Sequence, residues 1–451
     1  MHGRNKIMVS GFCVLSLLLA LMPPARLSAA EVSPSGQAAS ASGPPVKNGA
    51  VAVIQERVLT LDQCIGNALK NHPAILAASG TLNVNQSKVG QVRSGYYPQI
   101  SASGGLTEYT SASDASHARQ DQYSASLTLT QNIFDFGKTW TQVTIQQRNV
   151  TSAQEDLRSV RSQIVLSVKQ AYYGLLQAGK NRDVLKETVM QFEQHLNQAR
   201  GFFEIGVKSK FDVTKAEVDL SNARLNLIRA ENSLKIARVT LNNAMGMPDS
   251  QGTAIEDTLT FQKNPITFEE ARQKAAANRP DLKSLAAKRE ASEESISLSR
   301  KDYLPTLSGN ASYTKSGETY PPEQSAWSAG VTLTFPLFSG FLTHYQVKEA
   351  KENLYVLKAN EEELRQGIIL EVQQAYLNLN EAEERVAVAE LMVKQAEENF
   401  EIARGRYEAG VGSPIEETDA LVALSNAKMN YISALSDYRI AEATLVTAMG
   451  D

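Results

Sequence analysis

Apolar residues recur at seven-residue intervals along much of the second half of the chain. Ala375, Ala382, Ala389, Ala396 and Ala403 form one row, and Val372, Leu379, Val386, Val393, Phe400 and Tyr407 fill the alternate positions. After a break from Gly410 to Pro414 the rhythm resumes with Ala420, Ala427, Ala434, Ala441 and Ala448, alternating with Leu424, Tyr431, Tyr438 and Leu445. A 3-4 spacing of this kind predicts coiled-coil packing, and alanine at every seventh position lets neighbouring backbones approach closely. Proline is absent between Pro98 and Pro248, between Pro336 and Pro414, and after Pro414, which leaves room for very long helices. Two are predicted, from about Thr139 to Phe203 and from about Thr343 to Tyr407. At ~1.5 Å per residue each is a rod on the order of 100 Å. The break predicts an antiparallel return, with Pro414 in the first turn of the second helix.

Two segments follow a different period. Tyr123, Ala125, Leu127 and Leu129 alternate with Ser124, Ser126 and Thr128, while Trp327, Ala329, Val331, Leu333 and Phe335 alternate with Ser328, Gly330, Thr332 and Thr334. Each has a partner segment upstream, Ile100 to Leu106 and Leu307 to Tyr313, and a polar loop between, Ser111 to Gln122 and Lys315 to Gln324. Aromatic-ended alternation fits outer-membrane strands, apolar to lipid and polar to a lumen. It fits any half-buried hairpin equally well.

These elements occur twice, at a shift of about 204 residues. Ser221-Asn222-Ala223 returns as Ser425-Asn426-Ala427, and Phe203-Glu204-Ile205-Gly206-Val207 as Tyr407-Glu408-Ala409-Gly410-Val411. Met245-Gly246 returns as Met449-Gly450, and upstream Tyr96-Tyr97-Pro98 matches Tyr303-Leu304-Pro305. A period this long marks a duplicated domain half rather than a solenoid. The expected layout is a first repeat over 57–250 with its hairpin at about 98–134, a connector over 251–266, and a second repeat over 267–451 with its hairpin at about 305–336. In each repeat a short helix, about Ala74 to Gly95 in the first, and a medium one, about Phe211 to Gly246, would stack end to end beside the long helix.

The N-terminus reads as a secretory signal over 1–30. Arg4 and Lys6 precede a short apolar run, and Ser28-Ala29-Ala30 offers a small-residue cleavage site; a retained anchor helix is the alternative. Residues 31–56 are rich in Ser, Ala, Gly and Pro and are expected to be a disordered leader. Of the two cysteines, Cys13 lies in the signal, so Cys64 alone remains and no intramolecular disulfide is expected. A net charge of -4 without a basic block argues against a nucleic-acid partner. Beyond the signal no apolar run suits a membrane helix, so entry into a membrane would require strands, and four strands per chain are too few for a closed barrel. The chain would have to oligomerise.

The five histidines, His2, His72, His117, His195 and His344, read as isolated, and no metal, phosphate-loop or nucleophile motif accompanies them. No enzymatic activity, metal or cofactor is expected. The polar cluster that stands out follows the break: Glu416, Glu417 and Asp419. Glu416 and Asp419 are three apart and share a helical face, so symmetry would turn each into a ring of carboxylates. The plainer reading is helix-start acids favoured by the dipole.

The tip pattern Tyr407-x-x-Gly410-Val411 followed by acids, the turns Phe134-Asp135-Phe136-Gly137 and Phe338-Ser339-Gly340, and the closing Met-Gly pairs resemble the TolC-like outer-membrane efflux protein family, also called outer membrane factors. The resemblance covers about Leu59 to Gly450. It implies a mainly α protein with a transmembrane β-barrel. In that family a homotrimer builds a twelve-strand barrel in the outer membrane, continued by an α-helical tunnel across the periplasm of a Gram-negative bacterium. It also implies a periplasmic adaptor and an inner-membrane pump of RND, ABC or MFS type as partners, in efflux or type I secretion. The acidic gate rings of the family map onto Glu416 and Asp419, and the periplasmic lock onto Tyr407 and Asp212. The adaptor-docking tips map onto Ile205, Gly206 and Val207 and onto Ala409, Gly410 and Val411. Two positions depart from the pattern: Gly412 stands where some members have a locking arginine, and Phe211 where they have a polar residue, with Lys208 and Lys210 the nearby cations available instead. A soluble periplasmic coiled-coil scaffold or adaptor is the competing reading.

Overall fold

The computed structural model describes residues 58–110, 119–248 and 254–451. The expected signal and leader, most of the first polar loop and the start of the connector lie outside the described residues. The chain divides into two compact units.

One unit spans Gln91–Trp140 and Arg300–Thr343 and is built on a sheet. Its strands are β2 (Gln99–Thr110), β3 (Arg119–Phe134), β5 (Thr306–Gly317) and β6 (Gln324–Thr334), all antiparallel in the order β2-β3-β5-β6. They are longer than the alternating segments in the sequence, because charged and polar residues such as Arg119 and Glu108 continue the ladder and pair across it at 3.1 Å. β3 is where the two repeats join, pairing with β2 of its own hairpin and with β5 of the next, with a bulge between Asn132 and Phe134. Hydroxyls bond across the strands, Ser103 to Ser126 at 2.7 Å and Ser312 to Ser328 at 2.9 Å. Many of the alternate positions are bare: Ile100, Leu106, Leu127, Trp327, Val331 and Leu333 are all more than half exposed, while Tyr123, Ala125 and Leu129 of the central strand are partly buried. A half-buried hairpin would hide that face. β2 and β6 each leave one edge unpaired. The turn after β3 is set by Asp135, whose carboxylate accepts from the backbone N–H of Gly137 at 2.9 Å and of Thr139 at 2.8 Å. It holds Phe136 and Gly137 in the left-handed region and starts the first long helix.

The other unit spans Ile54–Gly90, Thr141–Ser299 and His344–Asp451 and is helical. Its first-repeat helices are α1 (Leu61–Asn71), α2 (Pro73–Arg93), the long α3 (Lys138–Glu204) and α4 (Lys210–Ala244). The second repeat supplies α5 (Phe268–Asn278), α6 (Pro280–Lys301), the long α7 (Leu342–Glu408) and α8 (Pro414–Ala448). α3 and α7 have 67 residues each, and α4 and α8 have 35 each, so the duplication preserves the lengths of these four helices to the residue. The heptad rows are buried where the pattern places them: Val372, Leu379, Val386 and Phe400 on α7, with Ala375, Ala382, Ala389 and Ala403 between them. Those from Val372 to Ala389 pack with Tyr438, Leu445 and Ala448 of α8 and with Val168, Tyr172 and Leu176 of α3 in one core, and Phe400 and Ala403 pack with Phe192 and Leu196 of α3 and Leu424 of α8 in a second. Among the described residues no helix is long and apolar enough to cross a membrane.

α1, α5 and a two-residue parallel pair, β1 (Val58–Leu59) with β4 (Ala254–Ile255), were not foreseen in the sequence. They are too short for a period to show. They fasten the connector, as does the Tyr172 hydroxyl, which donates to the Glu256 carbonyl at 2.7 Å. Cys64 of α1 is fully buried in the same core, and burial pushes its thiol up to about 11.

End-to-end stacking is enforced by two glycines. Gly246 closes α4 at φ +70° against the α1–α2 junction, where a Cβ would lie 2.9 Å from the His72 Cα. Gly450 closes α8 at φ +86° against the α5–α6 junction, where a Cβ would lie 2.7 Å from the Arg279 nitrogen. Arg279 itself is held by Asp281, by Glu371 of α7 and by the Ala448 carbonyl. Gly450→Ala is therefore expected to destabilise the fold by about 2 kcal/mol or more, combining left-handed strain with a backbone clash. Gly410→Ala, at φ +76° with open space around it, is expected to cost only the strain. Thermal unfolding of the two variants side by side checks the difference.

Candidate functional site

The tips are the turns that join α3 to α4 and α7 to α8. Both close in the same way, on a glycine in the left-handed region, Gly206 at φ 77° and Gly410 at φ 76°. The Val207 N–H reaches back to the Phe202 carbonyl at 2.9 Å, and the Val411 N–H to the Arg406 carbonyl at 3.1 Å. This geometry turns Ile205, Val207 and Val411 outward, each 60–72% exposed, and Ala409 is exposed as well.

Behind the tips lies a buried cluster centred on Tyr407. Its ring is fully buried, 5.1 Å from the His195 ring and 5.7 Å from the Phe202 ring between centroids, with the Lys208 ammonium 5.5 Å above its own centroid. Burial pushes the Tyr407 hydroxyl up to about 12, and the charges of Glu417 and Asp212 add to the effect. Among the described residues that hydroxyl has no hydrogen-bond partner. Asp212, the other expected member of the lock, is not bonded to it. The Asp212 carboxylate instead accepts from the Ser209 N–H and from the Ser209 hydroxyl, each at 3.0 Å, and so ties down the start of α4.

The acids on α8 divide. Glu416 and Asp419 are exposed, and Glu416 meets the Arg406 guanidinium at 3.6 Å. Glu417 is 6% exposed, its Oε2 2.8 Å from His195 Nδ1. His195 is thus not isolated, as its sequence context implied, but the partner of a buried carboxylate. A signal for this was present: Glu417 lies seven residues before Leu424 on the row that continues through Tyr431, Tyr438 and Leu445. A charged residue on a core row needs a buried partner.

The departure at Gly412 has a steric cause. A Cβ there would lie 2.8 Å from the Tyr407 nitrogen and 2.9 Å from the Arg406 carbonyl carbon, so this turn takes no side chain at all. The arginine that bonds at this tip is Arg406, six residues earlier in the last turn of α7, and it engages Glu416 rather than Asp212. Phe211 is 68% exposed and Lys208 covers the Tyr407 ring.

Fold and tip together define a duplicated, long-helix protein whose sheet bares an apolar face. The profile of the outer membrane efflux protein family matches residues 64–247 and 271–451, and the chain belongs to that family. It is 24% identical to the outer membrane protein TolC of Escherichia coli K12, over 86% of this chain and 82% of that protein. It is also 24% identical to the alkaline protease secretion protein AprF of Pseudomonas aeruginosa, over 75% and 72% of the two chains. The CmeC outer membrane channel of Campylobacter jejuni shares its fold with a TM-score of 0.75 at 17% identity, covering 86% of this chain and 85% of that one. The protein is accordingly an outer-membrane channel of the efflux and secretion class, and its family and solved relatives are channels rather than enzymes. The soluble scaffold reading is not favoured.

Asp212→Ala removes the acceptor that fixes the start of α4. It is expected to lower stability by about 1 kcal/mol and to speed amide exchange over the first turn of α4, as read by hydrogen–deuterium exchange of the tip peptides.

Proposed function

We propose that the chain is the outer-membrane duct of a tripartite efflux pump or type I secretion system, passive and without enzymatic activity, and that it works as a homotrimer. The observation that carries the trimer is the sheet: four strands with both edges unpaired and an apolar face uncovered. Open edges are not tolerated in lipid, so strands from further copies must complete the ladder. Three copies supply the twelve strands that family membership implies.

The helices support the same reading. Val356, Leu370, Leu377 and Leu391 of α7 fall at multiples of seven, with Glu363 and Glu384 at the positions between; the four apolar residues are all more than half exposed, an apolar stripe without a partner among the described residues. On α4, Val218, Leu225 and Val239 repeat the spacing and are 46–63% exposed. A second copy of the chain supplies the matching rows.

Residues 1–30 act as a signal peptide and 31–56 as a leader, ahead of repeats over 57–250 and 267–451 joined by 251–266. Ile205, Gly206, Val207, Ala409, Gly410 and Val411 contact a periplasmic adaptor, which couples the duct to an inner-membrane pump. Glu416 and Asp419 form the gate rings, and Tyr407 with Asp212 the lock. Support for the lock comes from the buried, unpartnered Tyr407 hydroxyl, a donor that gains an acceptor whenever the tip shifts slightly towards Asp212 or Glu417.

In planar bilayers the purified protein is expected to form cation-selective channels blocked by trivalent cations. Changing both Glu416 and Asp419 to alanine should weaken selectivity and block, because carboxylates in a narrow throat are poorly screened. Unchanged selectivity would return both acids to the role of helix-start residues. A bulky charged residue at Gly206 or Gly410 should abolish export from cells while the trimer still reaches the outer membrane, whereas recovery of the wild-type protein as a periplasmic monomer would overturn the duct itself.

A further inference from the structure

His195 and Glu417 meet across two helices, α3 and α8, in the layer next to the tips. Among the described residues theirs is the one acid–base pair in which both side chains are less than a tenth exposed. The surroundings are apolar: Phe192 and Leu196 on α3, and Ala420 and Leu421 on α8. An apolar pair of similar volume would pack there at equal or lower free energy, since a buried ion or hydrogen-bonded pair rarely adds net stability. What such a pair adds is a single geometry. A 2.8 Å contact fixes both the axial and the rotational position of one helix on the other, whereas apolar knobs tolerate slippage.

The position of α8 matters because Glu417 is flanked by Glu416 and followed two residues later by Asp419, both on its exposed side. One rigid helical turn carries all three, so whatever holds Glu417 sets where the other two point. The third helix enters through Tyr407 of α7, whose ring packs at a tilt against His195, 5.1 Å between centroids. Tyr407 in turn lies under the Lys208 ammonium of the first tip and feels the charges of Glu417 and of Asp212 from α4.

We propose that His195 and Glu417 are positioning residues of the gate, a latch that holds α8 on α3 and so keeps Glu416 and Asp419 in their closed placement. His195 donates through Nδ1–H to the Glu417 carboxylate, and opening of the periplasmic end requires that bond to break or turn. The proposal rests on the reading of Glu416 and Asp419 as gate residues.

The test compares trimers of the mature chain in planar bilayers and in thermal unfolding. The double variant His195→Leu with Glu417→Leu keeps the seam apolar and is expected to unfold at the wild-type temperature or above. Its channels are expected to be open more of the time by on the order of tenfold, a coupling within the usual range for packed elements. Glu417→Gln, which retains an acceptor for the imidazole, should stay closed like the wild type. As a control, Thr188→Val with Ser425→Ala removes the next buried polar contact along the same two helices, a 3.0 Å hydroxyl pair, and should leave the open fraction unchanged. A double leucine variant as closed as the wild type overturns the latch, and so does a control variant that opens equally, since general loosening would then be the cause. Failure of the wild-type protein to form any channel would instead count against the duct reading on which the proposal rests.

Discussion

Close approach of helices along the alanine rows is the constraint on which the remainder of this structure depends. A 67-residue helix has no globular interior to fold around, and its own propensity supplies too little stability to hold its register over such a length. Alanine on one row and large residues on the alternate row let α7 and α8 interlock over many turns. Every other feature of the helical unit adjusts to that spacing. The left-handed glycines at φ +70° and +86° bring the ends of α4 and α8 onto the neighbouring helix junctions so closely that no Cβ fits, and the two columns beside the long helices stay continuous.

The sheet obeys a different constraint. In water, β2 and β6 with bare edges and an apolar face would aggregate; in a membrane the same features suit contact with lipid and a ladder closed on both edges, as the proposed trimer would supply. A polar face of serine and threonine hydroxyls, paired across strands at Ser103–Ser126 and Ser312–Ser328, is what a water-filled lumen requires. The sequence alternation alone left two environments open, and exposure of Trp327, Val331 and Leu333 decides between them.

Legibility followed period length. Long helices announce themselves through many heptads, and the ends of α3, α4, α7 and α8 fall within two residues of where glycine, proline and the repeat placed them. α1, α5 and the β1–β4 pair were invisible because two or three turns, or two residues, contain no repeat to count. At the tip the pattern gave positions but not partners. Asp212 was legible as a polar residue at a helix start, and its use on Ser209 rather than Tyr407 follows the Ser209-x-x-Asp212 capping-box spacing, which competes with the lock. The missing arginine at position 412 reads as a loss in the sequence and as a steric necessity in three dimensions.

The pairing of His195 with Glu417 shows why a rule applied to one helix can miss a site made by two. Taken along α8 alone, Glu417 is one of three acids near a helix start, where the dipole tolerates any of them. Taken along the heptad row that runs through Leu424 to Leu445, it occupies a core position, and the dipole reading fails because a buried carboxylate needs a donor. The donor lies 222 residues earlier, on α3, in a row that also carries Thr188. Of the two buried polar contacts between α3 and α8 nearest the tips, His195–Glu417 and Thr188–Ser425, only the first pairs an acid with a base. The polar crossing and the tips mark the end of the helical unit where packing is least redundant, so a directional bond there governs the motion of α8 more than an equal bond in the middle of the seam would.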